Sequence, residues 1–534
     1  MSISSAIYFD GYLPTSKRPE RIQRLIKLSR DLTKYHSTFP TKVPWGNARL
    51  AVDATVDLFP SAWPMEKKAK PPPPPFLVPA VIDALRFSPK FGSLVKLVSG
   101  EADGFCAEHV RQKGGTVLTS DSDLLVYDLG ESGGVVFLAD IDLDMEPHRL
   151  RAPQYRPADI CRRLSLKTDR GLQYLAFELS RDHHLTLEQA VEKAKRSEAV
   201  LTSPNEYLEF IEQYLSPEVV PTPGEAGIPP LDPRVSEMAL RSLRLTGAAA
   251  PTSDNILASQ ASNDAGLEMF LPFLLDCPSR TSAWEASKPM RQLAYGLLHS
   301  GRNSSIASVS EMRRLQSASS GSQVSVPSSA DMDELGSSLL GVLSKIETGT
   351  DKVGAKSVLL WVALAIYQDI VMTMDRGKGY PLSLEVLGQD AKGKLDICSW
   401  EFLHFLAQAQ ATFYSLRMLW QVLDFSRQQT GALPANIQKF MIFLPYLPHL
   451  ETFPSAGAFA ASLQKAREPE CLSCLQSLCA EYEDIVPLIK SIKRPQDNKK
   501  SKKRKAAASS EGNNAKVAKP RSNNPFDLLA GSGE

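Results

Sequence analysis

Carboxylates are where this 534-residue chain is equipped for chemistry. Asp10 closes the apolar segment Ser-Ala-Ile-Tyr-Phe-Asp. Glu101 and Asp103 stand within Ser-Gly-Glu-Ala-Asp-Gly, and Asp121 and Asp123 within Thr-Ser-Asp-Ser-Asp-Leu-Leu. Each group ends or follows a short stretch with strand character: 5–10, Leu94–Ser99 and Thr116–Ser120. In an open parallel sheet the carboxyl ends of the strands share one edge, and ligands bind there. Three strands would thus deliver five carboxylates to one rim. Close like charges cannot all stay ionised unless cations sit among them. Hard divalent ions with oxygen ligands, Mg²⁺ or Mn²⁺, meet that demand. Carboxylate-held metal pairs suit phosphodiester hydrolysis, one ion activating a water and the other stabilising the leaving oxygen. A single acidic residue after a strand is commonly just a helix cap; five in this arrangement point to metal.

The surrounding pattern supplies the elements such a rim needs. From Pro19 to about Tyr35 the spacing predicts a helix, with Ile22, Leu25, Ile26 and Leu32 on one side. Lys17, Arg21, Arg24, Lys27 and Lys34 lie mostly opposite. Residues 36–75 are irregular, and Pro71–Pro75 form a stiff extended connector. A helix at about 78–87, the strand Leu94–Ser99, a helix Ala102–Lys113 and the strand Thr116–Ser120 follow. A helical or turn segment at 121–127 and a strand Val135–Ala139 complete the rhythm. Such alternation implies an α/β fold, a parallel sheet with flanking helices. Two further helices are expected at about 157–180 and 186–199. Residues 216–262 and the Ser-rich 301–332 have the composition of connectors. Helical patterns at 263–275, 286–299, 334–347, 355–374, 399–428 and 471–491 make the second half mostly α-helical.

Composition narrows the setting. Hydrophobic residues at 43% and charged ones at 23% exclude wholesale disorder. The 61 basic and 60 acidic residues nearly cancel, but 491–534 hold 11 Lys/Arg against 4 Asp/Glu. A mildly acidic body therefore ends in a basic tail, expected to be disordered. Within it Lys493 and Arg494, then Lys502, Lys503, Arg504 and Lys505, have the form of a bipartite nuclear import signal, predicting a nuclear protein. Asn524–Leu529 is a small apolar island suited to docking a protein partner. Seven cysteines are too few for a disulfide scaffold; Cys471, Cys474 and Cys479 are expected to be structural thiols. The longest apolar run, Val358–Tyr367, is ten residues and too short to span a bilayer, so no membrane partner is expected.

These motifs together resemble a family. Tyr8-Phe9-Asp10-Gly11, with Lys17 and Arg24 at fixed offsets, is similar to the end of the N-terminal motif of the flap endonuclease/XPG nucleases. Residues 100–107 and 119–125, with Asp121 18 residues on from Asp103, resemble their internal motif. The most similar branch is the Asteroid group, with which the wording Arg291–Leu298 also agrees. The resemblance implies a PIN-like (XPG-type) nuclease domain over about 1–200 and a linker-rich connection at 201–262. It further implies a helical Asteroid-type region over 263–490 with a Ser-rich insertion, then the tail at 491–534. It implies two Mg²⁺ or Mn²⁺ ions, one on Asp10, Glu101 and Asp103, the other on Asp121 and Asp123. Lys17 and Arg24 would contact the scissile phosphate, and Asp182 falls where the family places its last acidic ligand. The implied partner is nucleic acid, DNA above all, branched as a flap or single-stranded, with protein partners on the helical region and tail.

Two departures qualify the resemblance. The family opens with Met-Gly-Ile-x-Gly-Leu and a first strand carrying another metal-binding aspartate, and this chain starts after that point. Leu50-Ala51-Val52-Asp53-Ala54 resembles that strand but follows Asp10. The family's glycine-rich helix–hairpin–helix after the last ligand is replaced by His183–Glu188. The alternative expectation is thus a nuclease fold without turnover, serving as a nucleic-acid or protein interaction module.

Overall fold

The computed structural model describes residues 5–11, 17–44, 71–98, 100–144, 149–215, 231–245, 267–299, 306–317, 321–350, 358–377, 379–389, 395–430 and 433–492. The import-signal residues from Lys493 onward, the Asn524–Leu529 island and Leu50–Ala54 lie outside them.

The α/β part begins with β1 (Ile7–Asp10), followed by α1 (Arg18–Thr38), α2 (Leu77–Phe87), β2 (Val95–Val98), α3 (Ala102–Lys113), β3 (Thr116–Thr119) and β4 (Gly134–Phe137). A hairpin of β5 (Asp142–Asp144) and β6 (Arg149–Arg151) closes it. β1 runs parallel to β2 with Asp10 opposite Val98, and β3 runs parallel to β4 with Thr119 opposite Phe137. The expected single sheet is therefore present as two parallel pairs. What joins them is α3: Tyr8 of β1 hydrogen-bonds His109 at 2.7 Å, while Ala107 and Val110 pack with Val117 and Val135. Gly114 and Gly115 end α3 with φ of +70° and +110°, a left-handed turn that favours glycine. Gly11 is required by closeness, since a Cβ there would lie 2.3 Å from the Val98 carbonyl oxygen.

The helices after the hairpin are shorter than their sequence pattern suggests. The segment expected at 157–180 is α4 (Pro157–Leu164) and α5 (Gly171–Arg181), separated at Ser165, whose φ of +57° cannot continue a helix. Then come α6 (Leu187–Arg196), capped by Thr186 with Gln189 in a capping box, α7 (Glu198–Thr202) and α8 (Pro204–Glu212).

The next stretch corrects two expectations. After α9 (Pro233–Leu245), residues expected as a helix at 263–275 contain a strand, β7 (Leu267–Phe270). Pro272 disfavours helical geometry in Leu271, and β7 finds a parallel partner beyond α10 (Lys288–His299) in β8 (Ser308–Met312). β9 (Ser322–Ser325) pairs antiparallel to β8. Both of these strands fall within the Ser-rich stretch that composition assigned to a connector. Serine supplies the outward positions, while Val309, Glu311 and Val324 point inward and are buried.

The remainder is helical: α11 (Ser329–Thr350), α12 (Val358–Asp375), α13 (Leu382–Gly388), α14 (Trp400–Thr430), α15 (Ala435–Gln438), α16 (Phe440–Phe443), α17 (Ala456–Ala466), α18 (Pro469–Leu478) and α19 (Ile485–Ser491). α12 is long and apolar enough to cross a membrane by length and composition. Here it is a central core helix, buried continuously from Leu359 to Ile366. Cys471 and Cys479 are buried among these helices, and burial pushes both thiols up to about 12, so they behave as core residues.

One core unites the helical half with α1, which contributes Ile22, Leu25, Leu32 and Tyr35. Two basic residues of α1 are consumed in that docking. Arg18 grips Glu268 with Nε, 2.9 and 2.7 Å from the two carboxylate oxygens, and Nη2, 2.5 Å from Oε1, and Arg21 bridges to Glu237 at 2.8 and 3.1 Å beneath the Phe270 ring. Lys27 and Lys34 remain exposed.

Candidate functional site

The rim is assembled by local turns at three strand ends. At the end of β1, Asp10 Oδ1 accepts the Ala102 N–H at 2.7 Å, tying the strand to the first turn of α3. Glu101 stands at the N-cap of α3 with Asp103 in its first turn, where the helix dipole favours acidic groups. After β3, Asp121 accepts the Asp123 N–H at 2.9 Å, and its own N–H is held by Thr119 Oγ1 at 3.0 Å. This pair of short-range bonds folds 121–125 into a 3₁₀ turn and fixes both aspartates beside α3.

The five carboxylates sense one another. Burial, then the charges of Asp121, Asp10, Glu101 and Asp123, push the Asp103 carboxyl up to about 6. Asp123 is also raised, by burial and by Asp121, against the opposing pull of Lys17. Cys106 on the next turn of α3 is pushed up to about 12 by burial and by Asp103, which leaves it a poor nucleophile. The local field is strongly negative.

Of the two cations expected at the phosphate, Lys17 belongs to the rim. Its Nζ lies 3.1 Å from Glu101 Oε1 and 3.8 Å from Glu20. Arg24 is about two turns away, exposed, and paired with Glu20. Asp182 sits at the C-terminal end of α5, where its Oδ1 accepts the His184 N–H at 3.0 Å in a turn leading to α6. Its described contacts are local ones.

Two rim residues were not legible in the sequence. Tyr214, just beyond α8, hydrogen-bonds the Asp123 carboxylate, and burial with Asp123 and Asp121 raises its hydroxyl to about 12. Tyr127 stacks edge-on against it at 5.2 Å and donates to the Gln213 carbonyl at 3.1 Å. These two rings wall the acidic side of the rim. Only the packing of Tyr214 against Tyr127 and its small core, at the end of α8, brings it there, and no motif spacing announces it.

The donor chemistry fits a hard divalent ion, but the side chains are not closed around one. Among the described residues, no three His, Cys, Asp or Glu groups converge tightly enough to hold a metal as they stand. The carboxylates surround the rim, with Lys17 supplying positive charge at Glu101.

A stability consequence follows from Asp103. Its folded-state affinity for a proton exceeds that of an ordinary aspartate near 3.8, so the folded chain loses stability as pH rises from about 4 through about 6. In metal-free buffer, Asp103→Asn is expected to raise the thermal midpoint by about 1–3 °C at pH 7.5, and to leave it nearly unchanged at pH 4. Differential scanning calorimetry at both pH values checks this.

Residues 73–326 match a family model described as XPG domain containing. The match runs from the proline segment to just past β9, and so includes Glu101, Asp103, Asp121, Asp123, Asp182 and the Arg291 helix. Asp10, Lys17 and Arg24 precede it. No curated protein and no solved structure matches the chain.

Proposed function

We propose, from the match of residues 73–326 to the family model described as XPG domain containing, that this chain is a divalent-metal-dependent nuclease acting on branched or single-stranded nucleic acid. The observation that carries the reading is that carboxylates from three strand ends share one rim, near enough for Asp121, Asp10, Glu101 and Asp123 each to push the Asp103 carboxyl up. Asp10, Glu101 and Asp103 would hold one Mg²⁺ or Mn²⁺, and Asp121 and Asp123 a second. Such ions, if bound, would activate a water for attack and neutralise charge on the leaving oxygen.

The chain's own residues do the rest. Lys17, now beside Glu101, would turn to a phosphate oxygen of the substrate. Arg24, exposed about two turns along α1, would meet a neighbouring phosphate. Lys27 and Lys34 extend the cationic face of α1 away from the rim, suited to a flanking strand. Tyr214 holds Asp123 in position, and its half-buried ring offers aromatic surface for an unpaired base. The test is cleavage of labelled flap and single-stranded substrates with Mg²⁺ or Mn²⁺, compared with EDTA.

A second reading is an interaction module that keeps the fold without turnover. The Lys17–Glu101 pair favours it, because an ammonium already offsets part of the charge that a metal would neutralise. Metal-independent nucleic-acid binding with no cleavage at high protein concentration would support this reading.

Action on nucleic acid in the nucleus is part of the proposal, resting on the basic clusters of the tail. Replacing Lys502, Lys503, Arg504 and Lys505 with alanine in a fluorescently tagged chain is expected to shift it from nucleus to cytoplasm. An unchanged nuclear signal would remove the tail from that role.

A further inference from the structure

The five prolines before α2 do more than connect. Proline fixes φ near −65°, and each residue that precedes a proline is driven into extended geometry. Pro71 to Pro74 each precede another proline, so they hold preformed polyproline II geometry with three residues per turn, before Pro75 turns into α2. Three-fold periodicity sorts the run into edges: Pro71 with Pro74, Pro72 with Pro75, and Pro73 alone. The structure distinguishes these edges. Pro71, Pro73 and Pro74 are exposed, while Pro72 and Pro75 are half-buried. One edge faces the protein and the other two face solvent.

The run is also held firmly at its downstream end. Phe76 is buried, stacked on Tyr414 at 5.1 Å and edge-on to Phe453 at 5.3 Å. The prolines are therefore presented as a fixed ridge on the folded body. Their carbonyl oxygens have no N–H partner within the run, because proline lacks that donor.

We propose that Pro71, Pro73 and Pro74 form a ligand ridge for an SH3-type domain of a partner protein. Such grooves are lined by aromatic rings, take proline pairs from two adjacent edges of a polyproline II helix, and donate hydrogen bonds to its carbonyls. The third edge of the ligand points away from the groove. That is the edge this chain turns toward its own surface. A preformed helix anchored by Phe76 loses little conformational entropy on binding, which favours association.

The test uses the full chain, titrated by fluorescence polarisation against purified SH3 domains spanning the main specificity types, with WW domains in parallel. At least one SH3 domain is expected to bind with Kd on the order of 10 µM. Pro71→Ala with Pro74→Ala should weaken that binding by about tenfold or more, while Pro72→Ala should change it less than about twofold. Binding by no SH3 domain, binding by WW domains only, or an equal loss from Pro72→Ala would each overturn the proposal. None of these outcomes depends on nuclease activity.

Discussion

Glu311→Ala is expected to destabilise the chain by about 3–5 kcal/mol, because it strands two buried arginines. Glu311 and Arg291 are both fully inaccessible to solvent. Arg291 spends all five N–H donors: two on Glu311 at 2.6 and 3.0 Å, two on Ser287 and Ser415 at 2.7 and 3.0 Å, and one on the Trp284 carbonyl at 2.9 Å. Tyr295 donates to the same carboxylate at 2.7 Å, and Arg313 does so at 2.8 Å before continuing to Glu285. The network therefore pins α10, the strand β8, the Trp284 turn and α14 at one point. Urea denaturation followed by tryptophan fluorescence measures the loss. A combined Arg291→Met, Glu311→Leu, Arg313→Met variant should lose less than Glu311→Ala alone, since the cost lies in uncompensated charge.

The same carboxylate sets an acid limit. Burial alone would raise Glu311, but Arg291 and then Arg313 overcome it and hold the carboxyl down at about 2. Its folded pKa lies below its ordinary 4.5, so the stability it contributes is complete above about pH 4.5 and is lost as pH falls toward 2.

Asp121→Ala with Asp123→Ala is expected to reduce metal-dependent cleavage by about a thousandfold or more, the scale on which removing metal-held charge stabilisation acts. Both side chains are accessible or half-buried and serve a local turn, so the fold should persist. Nucleic-acid binding should persist too, since the cations of α1 are untouched and fewer negative charges face the phosphate backbone. Loss of cleavage with binding retained assigns the aspartates to chemistry. Cleavage at the wild-type rate would remove the rim from the reaction.

The legible part of this fold is the part written in local signals. α3 spans Ala102–Lys113 as its sequence predicts, because Glu101 opens it and Gly114-Gly115 closes it. Strands β1 to β4 fall within a few residues of their expected limits for the same reason: short apolar runs bounded by turns. Long-range pairing was not legible. β7 looks helical until β8 supplies a partner, and β8 looks like a linker until Val309 and Glu311 are seen to face inward. Likewise Arg18 and Arg21 resemble a solvated basic face in sequence, yet fold back onto Glu268 and Glu237 in regions far along the chain. The rim divides similarly. Its carboxylates follow from strand ends and spacing, whereas Tyr214 reaches Asp123 only through the path of α8.

The central claim is that the acidic rim takes divalent cations, and Mn²⁺ titration monitored by electron paramagnetic resonance tests it without any choice of substrate. The intact chain should sequester Mn²⁺ at up to two sites, with Mg²⁺ competing for them, and Asp121→Ala with Asp123→Ala should remove at least one. Mn²⁺ that stays free in solution, or binding unaltered by the two substitutions, would contradict the account.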